Sequence, residues 1–312
     1  MATVSGIAAG GADDLWGILL AFLGANGWHT LDTGSSVSGN VSVQGVQLRG
    51  EDVSGTGSIY VHLVYWKNVM TDVYSLQMEG SAGWNPEADV LQFGQNPQNS
   101  YRDLGTSTSV IVRTPLHGAP IQYWITASPR RFMGAFRHND RWGSLYCGFV
   151  MPYGMPSQWA YPLWIAGNNI ATDDYKEALN GCPWGASAVV SGMLYCPSGR
   201  WQATPNYQSP PGGRGFGVQM WPYLMQPGQT YIRNYVPLED RNGVRTYPVT
   251  NMLFWCANAN EYGLFGEPDG LCHVTSWGAA GGDLLTKAGR TYLLIQREMS
   301  AANDTSAAML LE

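Results

Sequence analysis

Charge is what this sequence has least of. Charged residues make up 13% of the chain, about half of the roughly 25% usual in soluble proteins. Lysine stands only at positions 67, 176 and 287. A chain this poor in Lys and Glu is not a helical bundle or a coiled coil. The net charge is −6 and no Lys/Arg cluster interleaves with aromatics. With no basic face to displace phosphate counterions, no nucleic-acid partner is expected. The densest basic spot, Arg130-Arg131 with Arg137 and Arg141, lies along an expected hairpin and reads as a solvated or interface edge. Long apolar runs are missing too. Trp16 to Ala25 is the longest, too short and too glycine-broken to span a bilayer. The opening MATVSGIAAGG lacks a charged n-region and an apolar h-region, so neither a secretory signal nor a membrane is expected.

The usual marks of chemistry are equally scarce. The five cysteines, at 147, 182, 196, 256 and 272, form no CxxC pair and are odd in number. They read as buried thiols of a chain made in reducing cytosol, with a Cys182–Cys196 bridge across a hairpin as the alternative. The five histidines show no HxH or HExxH spacing, so no metal and no cofactor are expected. No G-x-S-x-G elbow occurs. Gly212-Gly213-Arg214-Gly215-Phe216-Gly217 lacks the Lys-Ser/Thr of a phosphate loop and reads as a flexible loop. One enzymatic signal stands out: Leu31-Asp32-Thr33-Gly34-Ser35 resembles the signature of pepsin-like aspartic proteases. That chemistry needs two carboxylates sharing a proton across a water, and no second Asp-Thr/Ser-Gly is present. A protease acting through Asp32 is therefore a remote alternative; the plainer reading of Asp32 to Gly34 is a turn. No catalytic residue is assigned.

What the chain does have is glycine (39), proline (18) and aromatics (12%) within 45% hydrophobic residues, enough apolar surface to offset chain entropy. Leu15, Ile18, Leu19, Phe22 and Leu23 make one helical stripe, opened by Asp13-Asp14 and closed by Gly24 and Asn26-Gly27. Beyond Trp28 the period becomes two. Strands are predicted around Val41–Leu48 (interrupted at Gly45), Ile59–Trp66, Val73–Met78, Ser109–Val112, Ile121–Thr126, Arg131–Arg137 and Trp142–Val150. Later strands are predicted at 188–195, 229–236, 252–256, 271–277 and 291–296, with a helical turn at 172–179. The fold class is mainly β: sandwich-like sheets, one N-terminal amphipathic helix and long ordered loops. The division is 1–128, helix plus sheet, and 129–312, β-rich with long loops, the two regions standing apart or intertwined.

Two loops attract attention. Met151, Tyr153, Met155, Trp159, Tyr161 and Trp164 crowd into a segment paced by Pro152, Pro156 and Pro162. Such side chains anchor protein interfaces and stack on sugars, or they plug the end of a sandwich core. Arg214 and Phe216, within Thr204–Gly217, complete the candidate interface residues.

Several stretches are similar to a poorly characterised group of tailed-bacteriophage and prophage virion proteins. They are Asp13-Asp14-Leu15 with Phe22-Leu23-Gly24-Ala25-Asn26-Gly27-Trp28, Gly57-Ser58-Ile59-Tyr60-Val61, and Ile121-Gln122-Tyr123-Trp124 with Pro129-Arg130-Arg131-Phe132. The most specific is Tyr146-Cys147-Gly148-Phe149-Val150-Met151-Pro152-Tyr153, continued by Pro156-Ser157 and Tyr161-Pro162-Leu163; Gly266-Glu267-Pro268-Asp269-Gly270 also fits. Trp16 departs from the group's second leucine. The resemblance implies a structural, non-enzymatic part of the virion, in tail or baseplate, assembled in the host cytoplasm against copies of itself and other virion proteins. A receptor- or glycan-binding adhesion module, meeting a host-surface glycan, is the alternative.

Overall fold

Strands that alternate apolar residues must cover them with a second apolar layer, and this chain builds three sheets to do so. The computed structural model describes residues 1–51, 57–81, 83–87, 89–91, 111–154, 158–159, 161–168, 192–204, 218–221, 249–257, 262–275, 280–296 and 305–312. The first half runs β1 (Ala2–Ala8), α1 (Ala12–Ala25), β2 (His29–Ser38), β3 (Val41–Glu51), β4 (Ser58–Asn68), β5 (Val73–Ser81) and β6 (Val112–Leu116). Next come β7 (Ile121–Ser128), β8 (Arg131–His138), β9 (Arg141–Pro152), β10 (Leu163–Ala166), β11 (Gly192–Tyr195), β12 (Trp201–Thr204) and β13 (Gln219–Trp221). The last are β14 (Val249–Asn251), β15 (Leu253–Ala257), β16 (Tyr262–Pro268), β17 (Leu271–Thr275), β18 (Leu284–Lys287), β19 (Arg290–Gln296) and β20 (Thr305–Leu310).

Strands β2 to β6 form a five-stranded meander, and β14-β17-β20-β19-β18 form a second five-stranded sheet. A ten-stranded sheet in the order β1-β7-β8-β9-β10-β11-β12 lies between them. Its longest strand, β9, pairs with β8 and β10 and, at Val150–Pro152, with β16, which carries β15 and β13. Alternation along the central strands assigns each side chain to a layer. Ile121, Ile125, Phe132, Phe136, Leu145, Cys147, Leu163 and Ile165 face the first meander and α1. Met133, Ala135, Trp142, Tyr146, Val150, Trp164 and Ala166 face the C-terminal sheet. Antiparallel sheets commonly leave one face in water; the central strands β8, β9 and β10 are buried on both. The mainly-β, sandwich-like architecture expected from the sequence is present, with a third layer stacked on it.

The expected boundary between the two regions falls inside a sheet. Position 128/129 falls in the turn between β7 and β8, adjacent strands joined from Gln122↔Arg137 to Ser128↔Arg131. Residues from the start of the chain also enter that sheet, since β1 pairs with β7.

The helix forms where the stripe predicts, with Leu15, Leu19 and Leu23 fully buried, a contribution of roughly 1.5–3 kcal/mol for each leucine. Its start differs from the expectation. Gly11, at φ 68°, is the N-cap, and Asp14 reaches back to accept the Gly10 N–H at 2.5 Å. Asp13 instead accepts from Lys67 Nζ (2.7 Å) and Tyr65 Oη (3.0 Å), tying α1 to β4. A side chain on Gly11 would lie 2.2 Å from the Gly118 carbonyl, so the close approach of the β6–β7 connection requires glycine there.

Three further expectations are corrected. Gly45 does not interrupt a strand: β3 runs through it, and a methyl group there would lie 2.1 Å from Val90 O, which crosses the outer face of the sheet. Arg131 is not a solvated edge. It is 3% exposed, and its Nε donates to Asp269 Oδ2 at 2.5 Å, clamping the β16–β17 turn onto the central sheet. Asp32 to Gly34 is no turn but the middle of β2. The predicted elements at 172–179 and 229–236 lie outside the described residues.

His273 on β17 carries a pH dependence. Burial lowers its pKa from 6.5 to about 4, so it stays neutral in the fold while the unfolded chain takes up a proton below pH 6.5. Stability is full above that value and falls as pH drops from 6.5 to about 4, by roughly 3 kcal/mol in all. Urea midpoints measured across this range should decline for the wild type and much less for His273→Gln.

Candidate functional site

Among the described residues, those left uncovered are the ones open to a partner or ligand, because the buried side chains are engaged with one another in the cores. The proline-paced segment divides in two. Trp164 is fully buried: its Nε1 donates to Thr204 Oγ1 at 2.8 Å, and its ring meets Tyr146 at 4.6 Å and Phe254 at 5.0 Å. Trp159, 5% exposed, donates Nε1 to Tyr195 O at 2.8 Å and packs on Phe265 at 5.4 Å. Half-buried Tyr161 donates to Ser81 O at 2.7 Å and meets Phe149 and Tyr195 edge-on. All three are engaged within the molecule, the two tryptophans among strands of the ten-stranded sheet and Tyr161 between that sheet and β5, which corrects their place among the interface candidates. Alternation hides this in the sequence, since with both faces covered an apolar position at either parity is core.

Met151 and Tyr153, 45% and 53% exposed, remain on the surface. They sit where β9 outruns β10 and pairs with β16, Met151 opposite Glu267. Tyr153 Oη donates to Glu267 Oε2 at 3.4 Å, and Asn251 Nδ2 donates to the same oxygen at 2.5 Å. Partial burial, with the Glu267 carboxylate beside it, raises the Tyr153 pKa and keeps the phenol a neutral donor. The result is an exposed aromatic ring flanked by a carboxylate and an amide. Met155, Arg214 and Phe216 lie outside the described residues.

A second exposed apolar group escaped the sequence reading. Val37 (75%), Val69 (57%) and Met70 (79%) stand at the tips of the β2–β3 and β4–β5 hairpins. The tips touch: Val69 N–H donates to Asn40 O at 3.2 Å, and Asn40 Nδ2 lies 3.3 Å from Met70 Sδ. Asn68 Oδ1 accepts from the Met70 and Thr71 amides, which fixes the turn. Valine and methionine in a hairpin turn, where polar residues are the rule, were the available signal.

The edge strand β2 is a third feature. Eight of its ten residues are exposed, on both faces, and among the described residues it pairs with β3 alone. Asp32 is exposed on this edge, its Oδ1 accepting the Thr33 N–H at 2.8 Å.

The interior polar groups are arranged for packing. Gln47, His62 and Glu79 form a buried row across β3, β4 and β5. His62 Nε2 donates to Val90 O, and Nδ1 lies 4.0 Å from Glu79 Oε2. Stacked His117 and His138, 3.9 Å apart, border a recess with Phe136, Trp142 and Asn168. Its volume of about 30 Å³ suits one water rather than a substrate. Burial pushes up the Cys147 thiol, Cys147 and Cys272 are free thiols, and Cys196 Sγ donates to Leu194 O at 3.7 Å; Cys182 lies outside the described residues. Among the described residues, no three His, Cys, Asp or Glu side chains group to hold a metal ion, and no helix is long and apolar enough to cross a membrane.

Compared with known proteins, the chain matches no family model and no curated sequence.

Core and surface roles separate by mutation. Trp164→Ala should cost about 3–5 kcal/mol of folding stability, whereas Tyr153→Ala should change it by less than about 0.5 kcal/mol, both read from urea unfolding curves.

Proposed function

We propose that this chain is a non-enzymatic structural component of a tailed-phage particle, placed in tail or baseplate. It acts by contact with copies of itself and with adjoining virion proteins, after assembly in the host cytoplasm. The observation that carries the reading is where apolar side chains are left in water. Val37, Val69 and Met70 crown two hairpins, Met151 and Tyr153 mark the end of β9, and Leu284 lies on the edge strand β18. Exposed groups of this kind at strand ends and sheet margins suit surfaces that neighbouring subunits cover. The sequence likeness of Tyr146–Tyr153 and its flanking stretches to phage virion proteins supplies the kind of particle. Scarce charge agrees with it, since a covered surface needs few solvated ions.

A quantitative mass-spectrometric census of purified particles tests the reading. The chain should appear at a fixed copy number that matches a tail or baseplate symmetry. Particles complete without it end the proposal.

The Tyr153–Glu267–Asn251 group favours a second reading, an adhesion module for a host-surface glycan, because an aromatic face beside hydrogen-bonding groups is what a sugar needs. On this reading a glycan array gives hits that Tyr153→Ala removes; an array without hits ends it.

A further inference from the structure

An edge strand offers unpaired backbone N–H and C=O groups to any strand that reaches it, so proteins protect such edges with lysine, proline, bulges or covering loops. Among the described residues β2 has little of this protection, Val90 and Leu91 lying against one face of it at Gly34. Its ten residues, His29-Thr-Leu-Asp-Thr-Gly-Ser-Ser-Val-Ser38, contain no lysine, no proline and one carboxylate. Its register with β3 is broken by one irregularity, between Thr30 and Asp32, and runs unbroken from Asp32 to Ser38. Eight of its residues are exposed, on both faces. A strand so little buried in the monomer gains little from the core.

We propose that β2 pairs antiparallel with β2 of a second copy of this chain, about a two-fold axis at Ser35. The regular stretch is self-complementary in that register and no other charge enters it. Asp32 falls opposite Ser38, Thr33 opposite Val37, Gly34 opposite Ser36, and Ser35 meets its own copy. Each carboxylate then faces a hydroxyl. The two Asp32 residues stand six positions apart along the pair, roughly 20 Å at strand rise. A parallel pairing in register would set Asp32 against Asp32. Val37, left 75% exposed in the monomer, gains the methyl group of the other copy's Thr33 as a cross-strand neighbour. The joint is isologous, the commonest form in soluble oligomers, and extends the β2–β6 meander into a ten-stranded sheet shared by two chains. It deepens the assembly reading by naming the contact, and rests on that reading for its role in a particle.

The test uses the full-length chain and sedimentation over a concentration series. Wild type should sediment as a dimer. Ser35→Lys, which sets two ammonium groups together on the axis, should halve the mass without unfolding the chain, because Ser35 is exposed. Ser35→Glu should do the same, and an equimolar mixture of the two variants should restore the dimer. Ser35→Cys should form an intermolecular disulfide on mild oxidation, located by peptide mapping, because opposed residues lie within bridging distance; Ser36→Cys should form none. A wild-type chain monomeric at every concentration, or a dimer indifferent to Ser35→Lys, overturns the proposal. If the wild type is monomeric and Ser35→Lys is excluded from particles, another protein's strand occupies β2: the pairing fails and the assembly reading survives. A solution dimer from a chain absent from particles has the opposite meaning.

Discussion

A β-sheet with apolar side chains on both faces is stable in water only when both are covered, and the rest of this molecule answers that requirement. β7, β8, β9 and β10 present Ile125, Phe132, Cys147 and Ile165 on one side and Met133, Tyr146, Val150 and Trp164 on the other. The meander and α1 cover the first side; the C-terminal sheet covers the second. The Arg131–Asp269 ion pair holds the second cover at the β16–β17 turn. A guanidinium this deeply buried needs its carboxylate more than the carboxylate needs it, since Arg131 is hidden while Asp269 is 42% exposed.

Parts of this were legible in the sequence and parts were not, for physical reasons. The α1 stripe was readable because one face of the helix is buried and the other wet. In β4, Ile59, Val61, Leu63 and Tyr65 alternate cleanly and all enter the first core. β2 escaped because exposure on both faces leaves no hydrophobic alternation, and DTGSS imitates a turn. β16 was hidden by its glycines and proline, and β20 by small residues packed between neighbouring strands. The candidate site was half legible. Exposed Tyr153 and buried Trp159 stand six residues apart in one aromatic segment, and composition cannot sort them; the point where β9 outruns β10 does.

The exposed features share a logic. The hairpin tips, the end of β9 and the edge strand β2 are all places where the stacking of layers stops. A sheet covered above and below still has ends and margins, so layering confines whatever remains available for contact to the perimeter. The interior polar groups fit the same scheme: Gln47, His62 and Glu79 are buried on the outer face of the meander, with Val90 drawn across them and Gly45 leaving room.

The branch at β9 carries a consequence for how the chain reaches its shape. Val150 pairs with Pro268 and Ala2 with Ala127, so the middle layer is stitched from segments made more than a hundred residues apart. During synthesis the tail of β9 emerges long before β16 exists, and β1 waits for β7 in the same way. Contacts so distant along the chain slow folding and leave sticky margins open meanwhile. Efficient production in a crowded cell then calls for slow translation, low temperature or a chaperone that shields the half-built middle layer until its last strands arrive.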